Sequence, residues 1–301
     1  MIKRLVKGQE ESLDIIIPVV DRPGLGKTIL ARNIYNDPKL SYEFVSILWV
    51  NVGMEYKIKD IYLRILKFFT KRIEDHLNDD EDTLANVISS FISNRGRCLI
   101  ILDDVWEAQV IDYVMKVFPE NKKGHRIVMT TREGYVAAYA NPEPHNLKFL
   151  TPKESFELLV RSVFGMGSCP DKLKEVGEKI AVHCGGVPLN LMVIAGALRG
   201  RSTTNDWQIV ERSVAQHLYS NYNRDSGVFV EMSYDRLPQQ VQTCFLYCGI
   251  FPRDFDIPAW KLIRMWIAEG LIKPQLSYTL EEITKHHLND LVNITTQTSL
   301  T

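Results

Sequence analysis

The chain has 301 residues, of which 45% are hydrophobic and 24% are charged, and its formal net charge is −1. These values are typical of a globular protein with two or three domains, and they exclude a disordered or strongly basic chain. No apolar run reaches the ~20 residues that span a bilayer, so no transmembrane segment is predicted. Five cysteines without paired spacing indicate reduced thiols and a cytoplasmic protein.

The first predicted strand, residues 14–20, leads into a glycine-bearing loop at 21–28, and a helix runs from Lys27 to about residue 36. A strand, a glycine loop and a helix N-terminus form a cradle for an anion, because backbone N–H groups and the helix dipole point at one place. Lys27 would reach the β- and γ-phosphates of a nucleotide, and the Thr28 hydroxyl would bind Mg²⁺.

One residue departs from the phosphate-loop pattern G-x-x-x-x-G-K-[ST]. The first glycine of the pattern falls at position 21, where this chain has aspartate. The Asp21 side chain adds bulk and a negative charge near anionic phosphates, and glycine would also avoid a restriction on φ. We therefore predict a phosphate site that is weakened in this chain.

Strands and helices continue to alternate up to residue 150. Strands are predicted at 45–52, 97–106 and 125–132, and helices at 58–69, 83–93 and 110–117, with an acidic surface loop at 74–82. This alternation predicts an α/β fold with a parallel sheet and helices on both of its faces. Ligands of such sheets bind at the carboxyl ends of the strands.

Two of these strands end in charged residues. Asp103 would hold Mg²⁺, Asp104 could orient an attacking water, and Arg132 could detect a γ-phosphate or fix the β-phosphate. Taken alone, each of these residues is of a type that commonly occurs where a strand ends in a turn, without any function in binding. Because a phosphate loop lies upstream and all three stretches fall at one sheet edge, we favour the functional interpretation.

From residue 151 onward the predicted elements are all helices. They are expected at 152–164, 171–184, 188–199, 205–219, 228–235, 238–247, 258–269 and 279–292, with a polar break at 221–226. The stretch Gly185-Gly186-Val187-Pro188 is typical of a joint between two helices. The five tryptophans are predicted to be core anchors: Trp49, Trp106, Trp207, Trp260 and Trp266.

These segments, in this order, resemble the NB-ARC nucleotide-binding switch of plant disease-resistance proteins, a branch of the signal-transduction ATPases. The amino-acid sequences of these motifs most resemble the coiled-coil class and late-blight-resistance-like proteins. The resemblance is carried by PGLGKTILA (23–31), LIILDDVW (99–106), IVMTTR (127–132), CGGVPL (184–189), CFLYC (244–248) and LIRMWIAEG (262–270).

The resemblance implies three domains: a P-loop nucleotide-binding domain at 1–150, a helical bundle at 151–222 and a winged-helix domain at 223–301. It also implies Mg²⁺ and an adenine nucleotide, with ADP at rest and ATP in the open state. Phosphate or nucleotide contacts fall on Gly24, Leu25, Gly26, Lys27, Thr28 and Ile29, the last in place of a threonine usual in the family. Further implied roles are Thr28 and Asp103 for Mg²⁺, Asp104 as base, Arg132 as sensor and Pro188 packing on the adenine.

The function implied by the resemblance is an ADP/ATP-binding molecular switch that controls defence signalling by conformational change and oligomerisation, with at most slow ATPase activity. Its expected partners are the nucleotide, coiled-coil and leucine-rich-repeat domains, and other receptor subunits. Because neither of those domains nor a Met-His-Asp motif is found, we expect a fragment or a truncated gene product. The alternative is a nucleotide-incompetent relative that acts as an interaction module for full-length receptors. A winged-helix DNA binder ranks last, since the chain is almost neutral.

Overall fold

The computed structural model describes Leu5 and residues 15–118, 124–220, 234, 237–251, 255, 257–274 and 278–295. The polar break predicted at 221–226 lies outside these residues, as does most of the helix predicted at 228–235. The chain divides into two compact units, Met1–Leu147 and Lys148–Thr301.

In its described residues the first unit is built on five strands, β1 Ile16–Val20, β2 Ser46–Gly53, β3 Cys98–Val105, β4 Arg126–Thr131 and β5 His145–Asn146. They form one sheet in the order β2-β3-β4-β1-β5, and every neighbouring pair is parallel. Because β4 pairs with both β1 and β3, the loops that follow these three strands leave the same sheet edge side by side.

Helices cover both faces of this sheet. They are α1 Lys27–Tyr35, α2 Pro38–Glu43, α3 Ile58–Leu66, α4 Glu81–Ser93, α5 Gln109–Lys116 and α6 Gly134–Ala140. Alternate residues of β3 enter two cores: Ile100 packs in the core that α3 to α6 cover, and Ile101 in the core that α1 and α2 cover. The predicted α/β fold with a two-sided parallel sheet is confirmed.

Several element boundaries differ from the sequence-based expectation. The helix predicted to end near residue 36 is followed directly by α2, which Pro38 begins, with Asp37 accepting a hydrogen bond from the Lys39 N–H at 2.8 Å. Proline suits this position because the first helical N–H needs no partner. The acidic loop is shorter than predicted, because it contains a 3-10 helix at Ile73–His76 and Asp80 caps α4. Neither α6 nor the two-residue β5 was predicted.

The second unit is helical throughout its described residues apart from the loops. Its helices are α7 Pro152–Phe164, α8 Asp171–His183, α9 Pro188–Leu198, α10 Thr204–Ser220, α11 Gln239–Tyr247, α12 Ala259–Ala268 and α13 Leu280–Thr295. A reciprocal capping box between Thr151 and Glu154 begins α7, as their spacing predicts. Among the described residues, no helix is both long and apolar enough to cross a membrane.

The tryptophans do not all anchor cores. Trp207 and Trp266 are fully buried, each in one of the two cores of the second unit, as predicted. Trp260 is 62% exposed, so its prediction is wrong. The buried side of α12 is formed by Leu262, Ile263 and Trp266, and Trp260 lies off that stripe with its ring under the Arg264 guanidinium. Trp49 and Trp106 are only partly buried.

Candidate functional site

The loop between β1 and α1 turns through two left-handed glycines. Gly24 has a φ of 82° and Gly26 a φ of 93°, a region that L side chains avoid. Gly26 lies immediately before α1, which has neither a side-chain cap nor an acidic residue in its first turn. The N–H groups that begin this helix are therefore available to an external anion.

Lys27 opens α1 and is nearly buried, with 8% of its surface exposed. Its Nζ donates to the backbone carbonyl oxygens of Asp21 at 2.5 Å and Arg22 at 2.9 Å. Burial lowers the pKa of Lys27, and the positive charge of Arg132 lowers this pKa further. An anion beside both cations would offset this cost, since opposite charge favours the charged form of each.

Asp103, at the end of β3, collects two hydroxyl groups. Its Oδ1 accepts hydrogen bonds from Thr130 Oγ1 at 2.6 Å and from Thr28 Oγ1 at 3.1 Å. Burial raises the pKa of Asp103, and these two hydrogen bonds oppose that rise. The described part of the chain contains no cluster of three or more metal-ligating side chains. A carboxylate and a hydroxyl fit Mg²⁺, which is usually held by one or two protein oxygens together with phosphates and water.

Asp104 has different partners from Asp103, although the two are adjacent in sequence. The register between β3 and β4 shifts between Leu102 and Val105, and Asp104 has a φ of 58°, the one positive φ outside glycine in the described ranges. Its N–H donates to Thr130 Oγ1 at 2.8 Å. The bulge therefore directs two consecutive carboxylates to separate partners.

The Asp104 carboxylate lies between an indole and a guanidinium. Trp106 Nε1 donates to Asp104 Oδ2 at 3.0 Å, and Arg132 Nε lies 3.5 Å from Asp104 Oδ1. The Arg132 guanidinium carbon is 5.1 Å from the centre of the Trp106 ring. Sequence reasoning missed this part of Trp106, which it treated as a core anchor; the available signal was its position two residues after Asp104.

Asp21 folds its side chain back onto the loop. Its Oδ1 accepts a hydrogen bond from the Arg22 N–H at 2.7 Å. The φ of Asp21 is not in the left-handed region, so the expected restriction on φ does not apply to this loop conformation. The bulk and the negative charge of the Asp21 side chain are still expected to weaken phosphate binding. In addition, the carboxylate occupies a loop N–H of the kind that phosphate loops offer to their ligand.

The structure brings together Lys27, Thr28, Asp103, Asp104 and Arg132 at one edge of the sheet. Of the other predicted nucleotide contacts, Leu25 is buried and Ile29 is exposed on the first turn of α1. Pro188 is the first residue of α9 in the second unit, and its contact with an adenine stays a prediction.

Replacing Asp103 with asparagine is expected to leave the nucleotide-free chain as stable as the parent or more stable at pH 7.5. Because burial raises the pKa of Asp103 above its ordinary value of 3.8, the folded chain holds this proton to higher pH than the unfolded chain does. The Asp103 contribution to stability therefore falls as pH rises through that window. Denaturant unfolding at pH 7.5 and pH 5 measures this effect, and the difference between the two proteins should shrink at pH 5. A variant less stable by more than about 1 kcal/mol at pH 7.5 would contradict it.

A parallel sheet with a glycine loop after its first strand, and with carboxylates and a cation at neighbouring strand ends, defines a P-loop NTPase fold. The NB-ARC domain family matches residues 1–169, and the winged helix domain of disease resistance proteins matches residues 250–296. The first match covers more than half of the chain. The chain therefore belongs to the NB-ARC family.

Two relatives support this placement. The late blight resistance protein R1-A of Solanum demissum is 36% identical over 293 residues, which cover 95% of this chain and 22% of that protein. The disease resistance RPP13-like protein 3 of Arabidopsis thaliana is 29% identical over 300 residues, which cover 97% of this chain and 35% of that protein. The chain thus spans about a fifth to a third of the length of these relatives.

One solved structure with a similar fold is a signal transduction ATPase with numerous domains, a protein of Pyrococcus horikoshii with a tetratricopeptide repeat sensor. Its TM-score is 0.54 at 18% sequence identity, and it covers 94% of this chain and 44% of that chain. At this level of identity the likeness shows the fold alone.

Proposed function

We propose that this chain is the ADP/ATP-binding switch of a plant immune receptor that acts inside the cell. The observation that carries the proposal is the buried Lys27 behind a left-handed glycine loop, with the Thr28–Asp103 pair and Arg132 at the same sheet edge. These groups supply a phosphate cradle, oxygen ligands for Mg²⁺ and a guanidinium for a terminal phosphate.

Each residue has a separate task in this proposal. Lys27 would neutralise the β- and γ-phosphates, and Thr28 and Asp103 would hold Mg²⁺, which would screen the charge of the phosphates. Arg132 discriminates ATP from ADP, because the third phosphate of ATP offers the guanidinium an anionic partner that ADP lacks. Asp104 orients water for slow hydrolysis. The adenine would pack on Pro188, and coiled-coil domains, leucine-rich repeats or further subunits would respond to the switch.

The domain organisation of the proposal follows the same reasoning. We assign residues 1–150 to the nucleotide-binding domain, 151–222 to a helical bundle and 223–301 to a winged-helix domain. The division of the structure at residue 147 and the winged-helix match at 250–296 support this assignment. A change from ADP to ATP would be transmitted through these domains as a conformational change.

The nucleotide-incompetent interaction module is the second candidate, and the hydrogen bond from the Arg22 N–H to Asp21 favours it. We rank it below the switch because Lys27, Thr28, Asp103 and Arg132 all keep chemistry that a nucleotide needs.

Replacing Asp21 with glycine is expected to tighten ADP binding by at least about fivefold, or ~1 kcal/mol. Glycine removes a negative charge from the cradle and frees the Arg22 N–H for a phosphate oxygen. The measurement is calorimetric titration of ADP, and of ATP, into each protein with Mg²⁺ present.

Asparagine at position 21 is the matched control, because it keeps the size of the side chain and an oxygen for the Arg22 N–H while removing the charge. Its ADP affinity should lie between those of the other two proteins. If Asp21→Gly binds ADP within about twofold of the parent, ~0.4 kcal/mol, the weakening that we assign to Asp21 is wrong.

A further inference from the structure

Trp106 contacts both members of the Asp104–Arg132 pair. Its Nε1 donates to Asp104 Oδ2 at 3.0 Å, and its ring lies 5.1 Å below the Arg132 guanidinium carbon. The Trp106 backbone has a further contact, because the Tyr135 hydroxyl donates to its carbonyl oxygen at 3.0 Å. The tryptophan thus lies in a closed triangle with a carboxylate and a cation.

The two contacts of Arg132 differ in how easily they are replaced. The Arg132 and Asp104 side chains are 37% and 21% exposed and 3.5 Å apart, so this ion pair is weak. A phosphate oxygen is a stronger partner for a guanidinium than a single long carboxylate contact. The ring contact requires no anion and can persist when the anion partner changes.

We propose that Trp106 is a positioning residue that lets Arg132 respond to a third phosphate. The indole holds the guanidinium beside Asp104 when no third phosphate is present, and it keeps the guanidinium within the site when a triphosphate replaces Asp104 as the partner. This inference rests on the proposed nucleotide-binding function, and it concerns the discrimination between ADP and ATP rather than binding itself.

Two substitutions separate the ring from the rest of the residue. Trp106→Leu removes the aromatic face and the N–H, whereas Trp106→Phe keeps an aromatic face. ADP and the non-hydrolysable β,γ-imido analogue of ATP are titrated into each protein with Mg²⁺. We expect Trp106→Leu to weaken analogue binding about fivefold relative to ADP binding, and Trp106→Phe to keep this ratio within about twofold of the parent.

Trp49 provides the matched control, because it is also partly buried and also lies under an arginine, Arg32, at 6.0 Å. The Trp49→Leu variant should change the affinities for both nucleotides by the same factor. A purely structural role of Trp106 would give that same result, so the ratio of the two affinities distinguishes positioning from packing.

Tryptophan fluorescence gives a second readout. The Trp106 signal is the difference between the spectra of the parent and Trp106→Phe. This signal should change more with the ATP analogue than with ADP, because only a third phosphate draws the Arg132 guanidinium, which lies over the ring, away from Asp104. Equal fluorescence responses to both nucleotides, or an unchanged affinity ratio in Trp106→Leu, would overturn the inference about Trp106. The proposed function would stand in that case as long as the parent binds ADP. If the parent binds neither nucleotide, both proposals fail.

Discussion

Replacing Lys27 with methionine is expected to weaken binding of both ADP and ATP at least about 100-fold, or ~2.7 kcal/mol. Methionine keeps an unbranched apolar stem but removes the ammonium group. In the nucleotide-free chain this group donates to the Asp21 and Arg22 carbonyl oxygens, and burial lowers its pKa. Phosphates would supply the charge-assisted hydrogen bonds that two neutral carbonyls cannot. Titration of each nucleotide in the presence of Mg²⁺ measures the loss.

Lys39→Met is the control for this substitution, because it removes the same charge from an exposed position on α2. It should bind ADP as the parent does. Unfolding without nucleotide should differ little between parent and Lys27→Met, since the cost of burying the ammonium offsets its two hydrogen bonds to backbone carbonyls. A Lys27→Met protein that binds ADP within threefold of the parent would show that the lysine does not contact phosphate.

The Gly186→Ala substitution is expected to destabilise the second unit by about 3 kcal/mol. Gly186 has a φ of 72°, and a Cβ there would lie 2.5 Å from the Leu150 carbonyl oxygen and 3.1 Å from Phe149 Cβ. The obstacle is backbone, so it cannot rotate away as a flexible side chain would. Separating the two segments would also strain the 2.9 Å hydrogen bond from the Leu150 N–H to the Gly186 carbonyl. The free energy of unfolding in denaturant measures this effect.

Gly185→Ala separates the backbone strain from the collision. Gly185 has a φ of 66°, and a Cβ there would meet nothing within 4 Å. Its alanine variant should therefore lose only about 1 kcal/mol, the cost of an L side chain in the left-handed region. Equal losses at the two glycines would mean that the contact with Leu150 does not determine the tight joint before α9.

Much of the first unit is predictable from local sequence because its strands are long apolar runs. The runs that became β1 and β3 are buried on both faces, and the glycine loop after β1 predicts the start of α1. The meeting of the Thr28 hydroxyl with Asp103 follows from topology alone, since parallel strands end at one edge.

No local sequence pattern predicts the finer geometry of the site. The register shift after Leu102 and the left-handed φ of Asp104 depend on the pairing of β3 with β4, which the sequence of one strand does not specify. For the same reason, the sequence does not predict that Thr130 Oγ1 bonds to both Asp103 and Asp104, or that the Trp106 ring stacks on Arg132. Pro38 shows a different limit, because proline ends one helix and begins the next equally well.

The most direct test of the central claim is the nucleotide content of the chain purified without added nucleotide. Acid denaturation releases any bound ligand, and chromatography against adenine nucleotide standards identifies and quantifies it, with Lys27→Met prepared in parallel. We predict ADP in the parent preparation and none in Lys27→Met. A parent preparation without ADP, together with flat ADP and ATP titrations, would contradict the assignment of this chain as an adenine nucleotide switch.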